Sequence, residues 1–320
     1  YKNDKEIPVF LTGDMNGWKK DQIPFLEIIG SEYYYCEQIF EPDSRLEYKL
    51  IADDKWILDP LNKKKAIGGY GENSLLLLPD YVYAPETLLD RHVIYTTLDT
   101  AVFKSKRMRA TYQSFYYKNI LADSASPLII FNDGGDYLNY GAAWITLDNL
   151  IRTKEIPPCQ ALFLQPHDRM KEYWVDGKFL QMVFDDCLPW AKQKYNIDRA
   201  VPIYMGGASL GGLTAFFAIT KTKLDGVFSQ SGSFWVDSLR IIDELKNEEM
   251  ANTKFYFDFG SFEKQDSARS AMMEFLDANH ISYMQNVWHE GHNWGNWRGH
   301  LSYALRYLLN PSVPKKTIKL

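Results

Sequence analysis

Cysteine is scarce in this chain of 320 residues: Cys36, Cys159 and Cys187 stand far apart. An odd, widely spaced set supplies neither a disulfide framework nor the paired spacing of a zinc site, and it leaves the redox compartment open. No apolar run approaches the ~20 residues needed to cross a bilayer, so no integral membrane segment is expected. Lys and Arg form no long block, and 36 of them against 41 Asp and Glu leave a formal net charge of -5. That balance argues against nucleic acid or an anionic membrane surface as the main partner. Internal repeats and low-complexity tracts are also missing. The chain opens on Tyr1 and not on Met, which suggests a trimmed N-terminus and leaves secreted, periplasmic and cytoplasmic locations open. The oligomeric state is not legible in the pattern.

Hydrophobic residues make up 46% of the chain and aromatics 15%, with nine Trp, enough for a sizeable core. Residues 7–83 show short alternating runs broken by turn residues, including 9–12, 33–40, 46–52 and 74–78, with no helix-period stretch between them. That pattern predicts a small all-β, immunoglobulin-like sandwich over 1–86, closed by a linker in which Pro79 and Pro85 end the pattern. From 87 to 320 strands alternate with helical stretches, which predicts an α/β domain with a mostly parallel sheet covered on both faces. It begins with an antiparallel pair over 92–98 and 107–117. Further strands are expected near 127–131, 161–164, 226–230, 254–259 and 282–287. Helices are expected over 142–153, 179–195, 268–276 and 294–309, with another capped by Asp237.

One stretch of this second region carries chemistry. Residues 201–217 read as strand, sharp turn and helix, and the turn contains Gly207-Ala-Ser-Leu-Gly211, the nucleophile-elbow pattern. Ser209 is the candidate nucleophile, and the Leu210 N–H at the helix start is a candidate oxyanion donor. A serine hydroxyl needs a base within hydrogen-bond reach and a third group to orient that base. Of the six histidines, His289 and His292 lie in the final strand-to-helix loop, where the elbow class places its base. The acid belongs in the loop after the preceding strand, where Asp258, Glu263 and Asp266 compete, Asp266 also as a helix cap. A second oxyanion amide belongs in the glycine-rich turn 132–137. His289, Glu290 and His292 share no helix face and have no evident fourth partner, so no metal site is expected, and no cofactor is implied.

Several segments together resemble the enterochelin esterase and feruloyl esterase-like family, with its glycogen-binding-type N-terminal β-sandwich. In the first region they are 10–18, 48–56, 59–62 and 71–76. In the second they are the turn at 132–137, Asp168-Arg-Met-Lys-Glu-Tyr173, Ser229-Gln-Ser-Gly-Ser-Phe-Trp235 and Trp288-His-Glu-Gly-His-Asn-Trp-Gly-Asn-Trp-Arg298. The resemblance implies His292 as base, Glu263 as acid with Asp258 the alternative, and Gly135 as the second oxyanion donor. It places Arg169, Trp235 and Trp294 beside the substrate, although Arg169 and Glu172, three apart, can also pair with each other. Trp18, Lys49, Trp56 and Asn73 match the sugar-binding platform of the β-sandwich. The implied activity is serine carboxylester hydrolysis of a trilactone siderophore, or alternatively of feruloyl or acetyl esters on plant polysaccharide. A non-catalytic carbohydrate-binding protein on a hydrolase scaffold is the reading from another class, and acyl transfer to an alcohol is open too.

Overall fold

The computed structural model describes residues 1–2, 7–69, 71–89, 96–174, 177–263, 267–310 and 318–319. They divide into two compact units. The first comprises Tyr1–Tyr83, Phe259–Gln265 and Val287–Asn296; the second comprises Ala84–Asp258, Asp266–Asn286 and Trp297–Leu320.

Short strands build the first unit: β1 (Val9–Gly13), β2 (Ile23–Pro24), β3 (Leu26–Glu27), β4 (Tyr34–Tyr35), β5 (Arg45–Ala52), β6 (Lys55–Ile57), β7 (Lys65–Gly68) and β8 (Gly71–Leu77). They form an antiparallel sheet in the order β2-β1-β5-β8-β7 with β6 also on β5, and a two-stranded ribbon of β3 and β4. Period-two alternation sends Val9 and Leu11 of β1, and Tyr48, Leu50 and Ala52 of β5, into one core. The strand expected over 33–40 shrinks to Tyr34–Tyr35. Its partner β3 is only two residues long, and Ile39 stands 96% exposed, with no sheet face to cover it.

The second unit holds β9 (Thr96–Ser105), β10 (Ala110–Asn119), β11 (Leu128–Asn132), α1 (Gly134–Asn139), α2 (Ala143–Arg152), β12 (Gln160–Leu164), α3 (Arg169–Glu172), α4 (Gly177–Gln181) and α5 (Leu188–Tyr195). It continues with β13 (Ile203–Ala208), α6 (Leu210–Phe217), β14 (Gly226–Gln230), α7 (Arg240–Leu245), β15 (Lys254–Gly260), α8 (Ser267–Ala278), β16 (Tyr283–Trp288), α9 (Trp294–Leu309) and β17 (Ile318–Lys319). The ends of β15 and β16 and the start of α9 belong to the first unit. The sheet order is β17-β16-β15-β14-β13-β11-β12-β10-β9, with β10 antiparallel to β9 and β12. Every residue of β11, β12 and β14 is buried, which is why β11 and β12 read as nearly continuous apolar runs without alternation.

Several expected elements differ in detail. Residues 90–95, on which the first part of the leading strand falls, lie outside the described residues, and β9 runs on to Ser105. The helix expected over 179–195 is α4 and α5 joined by a π-helical turn, Met182–Cys187. Pro189, in the first turn of α5, has no N–H to return to the carbonyl four residues back, so the turn widens there. Asp237 does not cap a helix. It sits at φ 48° and accepts from Trp174 Nε1 at 2.9 Å, while α7 starts after Leu239. Among the described residues no helix is long and apolar enough to cross a membrane.

The strand order positions the chemistry. From β11 the chain passes to β12 on one side, then returns to add β13 on the other. In an open α/β sheet such a reversal leaves a crevice beyond the C-terminal strand ends, where the turns after β11 and β13 emerge.

Candidate active site

Between the end of β13 at Ala208 and the start of α6 at Leu210, Ser209 alone makes the turn. Its backbone angles, φ 56° and ψ -121°, lie in a region that residues with a Cβ rarely enter. The turn is tight because β13 and α6 almost touch: a Cβ on Gly207 would lie 2.6 Å from the carbonyl carbon of Gly211. Asn132 Nδ2 donates to Gly211 O at 2.8 Å, and Ser209 N donates to Gln230 O at 2.8 Å, which holds the serine from both sides. Ser209 Oγ lies 3.2 Å from Ser233 Oγ, in the turn after β14. Leu210 is the first residue of α6, so its amide is at the positive end of that helix.

The turn after β11, which the sequence presents as a glycine-rich loop, is the first turn of α1, entered through Asp133 at φ 54° and ψ 44°. Gly135 N donates to Gln165 Oε1 at 2.9 Å. Arg169 does not pair with Glu172. Its Nε and Nη2 reach Asp133 Oδ1 and Oδ2 at 2.8 and 2.9 Å, and Nη2 also donates to Ala208 O at 3.3 Å. Glu172 points instead into the interior, accepting from Tyr112 Oη at 2.6 Å and from His167 N at 3.0 Å. Bidentate pairing with a buried carboxylate wins over a solvated pair three residues apart. Burial pushes the Asp133 carboxyl above its ordinary range, with Arg169 pulling the other way. Arg169 thus braces the β11 turn against the elbow. Trp235 is half exposed, its ring set edge-on to Trp174 with centroids 5.7 Å apart.

Within the first unit His292 Nδ1 lies 3.1 Å from Glu263 Oε2, and Glu263 Oε1 accepts from Gly260 N at 2.7 Å. Asp258 is fully buried in the second unit and accepts from Gln230 Nε2 at 3.1 Å. Asp266 lies outside the described residues. His289 Nδ1 contacts Asp43 Oδ1 at 2.6 Å. Trp294 Cδ1 packs over Gly68 of β7. Among the described residues no three His, Cys, Asp or Glu are placed to hold a metal ion together.

Of the platform residues, Trp18 and Trp56 stack at 6.3 Å between centroids with planes 20° apart, and Lys20 Nζ lies 6.0 Å from the Trp56 ring. Asn73 Nδ2 donates to Glu47 Oε2 at 2.8 Å, and Lys49 lies opposite Thr12 in the β1–β5 register.

No protein-family model matches the sequence, and no curated protein matches it. The structure superposes on the enterobactin esterase of Shigella flexneri, in the presence of enterobactin, with a TM-score of 0.81 at 21% identity, over 97% of this chain and 92% of that one. Against the ferric enterobactin esterase of Salmonella typhimurium the TM-score is 0.78 at 20% identity, over 96% and 89%. A ferulic acid esterase matches 67% of this chain and 98% of its own, with a TM-score of 0.59 at 12% identity. The fold is α/β-hydrolase-like.

On this α/β-hydrolase-like frame four residues that the sequence pattern does not single out come close to the candidates. Ser233 touches Ser209, Gln165 occupies the Gly135 amide, and Asp14 and Asn293 bond to each other beside His292. Gln165 follows β12 directly, so the rule that sites gather after strand ends contains a signal for it. Ser233 is one of three alternating serines in 229–233, and nothing local distinguishes it. Asp14 and Asn293 are 279 residues apart, a pairing that no spacing rule reaches.

Proposed function

We propose that the protein is a serine carboxylester hydrolase. The observation that carries this reading is the strained backbone of Ser209 at the head of α6, within a fold shared with esterases. Ser209 Oγ attacks the ester carbonyl carbon and its proton passes to His292 Nε2. Glu263 on Nδ1 fixes the tautomer in which Nε2 carries the accepting lone pair, and it stabilises the imidazolium that forms. The N–H groups of Leu210 and Gly135 receive the oxyanion, Gly135 exchanging its contact with Gln165 Oε1 for the substrate oxygen. Collapse expels the alcohol, which takes the proton from His292, and water then releases the acid by the same steps. Arg169, through Asp133 and Ala208, keeps the two oxyanion turns in register. Trp235 and Trp294 are assigned to the substrate surround.

A cyclic catecholate trilactone is the proposed substrate, because the enterobactin esterases match nearly the whole chain. A second reading, a feruloyl or acetyl ester on polysaccharide, is favoured by the stacked Trp18 and Trp56, which suit an immunoglobulin-like sandwich with a sugar platform.

A fluorophosphonate probe should label the protein and fail to label Ser209→Ala. Absent labelling of the wild type would leave a carbohydrate-binding protein on a hydrolase scaffold as the better reading. Turnover of the trilactone against a feruloylated oligosaccharide then separates the two substrates. Loss of polysaccharide action in Trp56→Ala, with small-ester turnover kept, would favour the second.

A further inference from the structure

His292 is flanked by Gly291 and Asn293, and both neighbours are held by one side chain of the β-rich unit. Asp14 lies on the 3-10 turn Asp14–Asn16 directly after β1 and is almost fully buried. Its Oδ2 accepts from Asn293 Nδ2 at 2.9 Å and from Glu47 N at 2.8 Å, while Oδ1 accepts from Trp18 Nε1 at 3.1 Å. Gly291 lies flat against the same carboxyl group: a Cβ there would come within 2.1 Å of Asp14 Cγ. The opposite edge of the Asn293 amide is used as well. Its Oδ1 accepts from Arg45 Nη1 at 2.9 Å and from Asn296 N, in the first turn of α9, at 3.1 Å. Asn296 Nδ2 returns a bond to Gly291 O at 2.9 Å. Arg45, in turn, pairs with Glu47 at 2.9 Å and with Glu290 at 3.6 Å.

A base displaced by about an ångström loses about 100-fold in rate, so the backbone that carries His292 must be held in place. We propose that Asp14, from the β-rich unit, is a positioning residue for His292, acting through Asn293 and Gly291. This rests on the esterase reading given above. The contacts account for why Gly291 carries no side chain and why an amide stands at 293, since Asn offers a donor to Asp14 and an acceptor to Arg45 at once. Burial and the neighbouring Glu47 push the Asp14 carboxyl up to about 7, with Trp18, the Glu47 amide and Arg45 opposing. The titratable and charged groups around the loop include Asp14, Glu47, Arg45, Glu290 and the Asp43 that meets His289, together with the Glu263 that touches the imidazole itself.

The test uses the full chain with Asp14→Ala, Asn293→Ala and the double variant, a p-nitrophenyl ester, and proton NMR of the His292 ring at fixed pH. Each single variant should lower kcat about tenfold or more with KM within twofold, and the double variant should lose no more than the worse single one. The His292 ring resonances should shift in both singles. If Asp14→Ala does not fold, Asn293→Ala carries the same readouts. Folded variants with kcat within twofold of wild type, or losses that multiply in the double variant, overturn the proposal. A wild type that neither turns over ester nor labels at Ser209 sinks the esterase reading instead. The His292 ring resonances still decide the positioning role then, and unmoved resonances overturn it.

Discussion

At the scale of single residues, Glu263 and Asp258 compete as the acid of the proposed triad. Gly260 N holds Glu263 Oε1, and that contact aims Oε2 at His292 Nδ1. Asp258 accepts from Gln230, whose Oε1 accepts a hydrogen bond from the Tyr137 hydroxyl at 2.9 Å and whose Nε2 also donates to Trp297 O at 3.0 Å. The two substitutions should therefore separate. Glu263→Gln should lower kcat on an activated ester about 10- to 100-fold with little change in unfolding midpoint. Asp258→Asn should act chiefly on stability, by about 1–3 kcal/mol, through the buried hydrogen-bond network. Steady-state kinetics beside urea unfolding checks both. A larger kcat loss for Asp258→Asn than for Glu263→Gln would reverse the assignment of the acid.

Among the elements, the elbow depends on how closely β13 and α6 approach. Gly207 faces the backbone of Gly211 and not a flexible side chain, so an added methyl group has nothing that can swing aside. Gly207→Ala should cost about 1–3 kcal/mol of stability and lower labelling at Ser209, measured by urea unfolding and by fluorophosphonate incorporation. Wild-type values of both would mean that the turn is looser than the distances imply. Other elements are tied by their ends. Lys254 Nζ donates to the carbonyls of Tyr307, Leu308 and Asn310 at the close of α9, where a cation also suits the helix dipole. Asn149 Nδ2 donates to Glu86 O and Leu88 O, fastening the start of the second unit to α2.

For the whole molecule, the buried cluster around Asp14 implies a pH dependence of folding. Its carboxyl pKa rises from 3.8 to about 7, first through burial and then through Glu47. A group raised by folding binds its proton more tightly in the folded state, so its stabilising share is complete below the unfolded value and is lost as pH rises through about 7. The stability difference between wild type and Asp14→Asn should therefore shift against the wild type from pH 4 to pH 8. Urea unfolding of both proteins across that range checks it. Parallel curves would mean that Asp14 titrates normally.

The strand-turn-helix around Ser209, the alternation of strands and helices, and the loops that carry Glu263 and His292 were all legible in the chain. Each depends on local periodicity or on a turn residue whose conformational demand is local. The strand over 33–40, the Arg169–Glu172 pair and the Asp237 cap failed for a common reason. Each local preference was weak and lost to a partner, or to the lack of one, elsewhere in the fold. The elbow, on which the proposed reaction class rests, could be read from sequence because a serine between close-packed glycines is a short-range device. That Gln165 meets Gly135, and that Asp14 grips the residues on either side of His292, was decided only by tertiary structure. Buried hydrogen bonds pair whichever donors and acceptors the folded chain brings together, and sequence separation does not enter that choice.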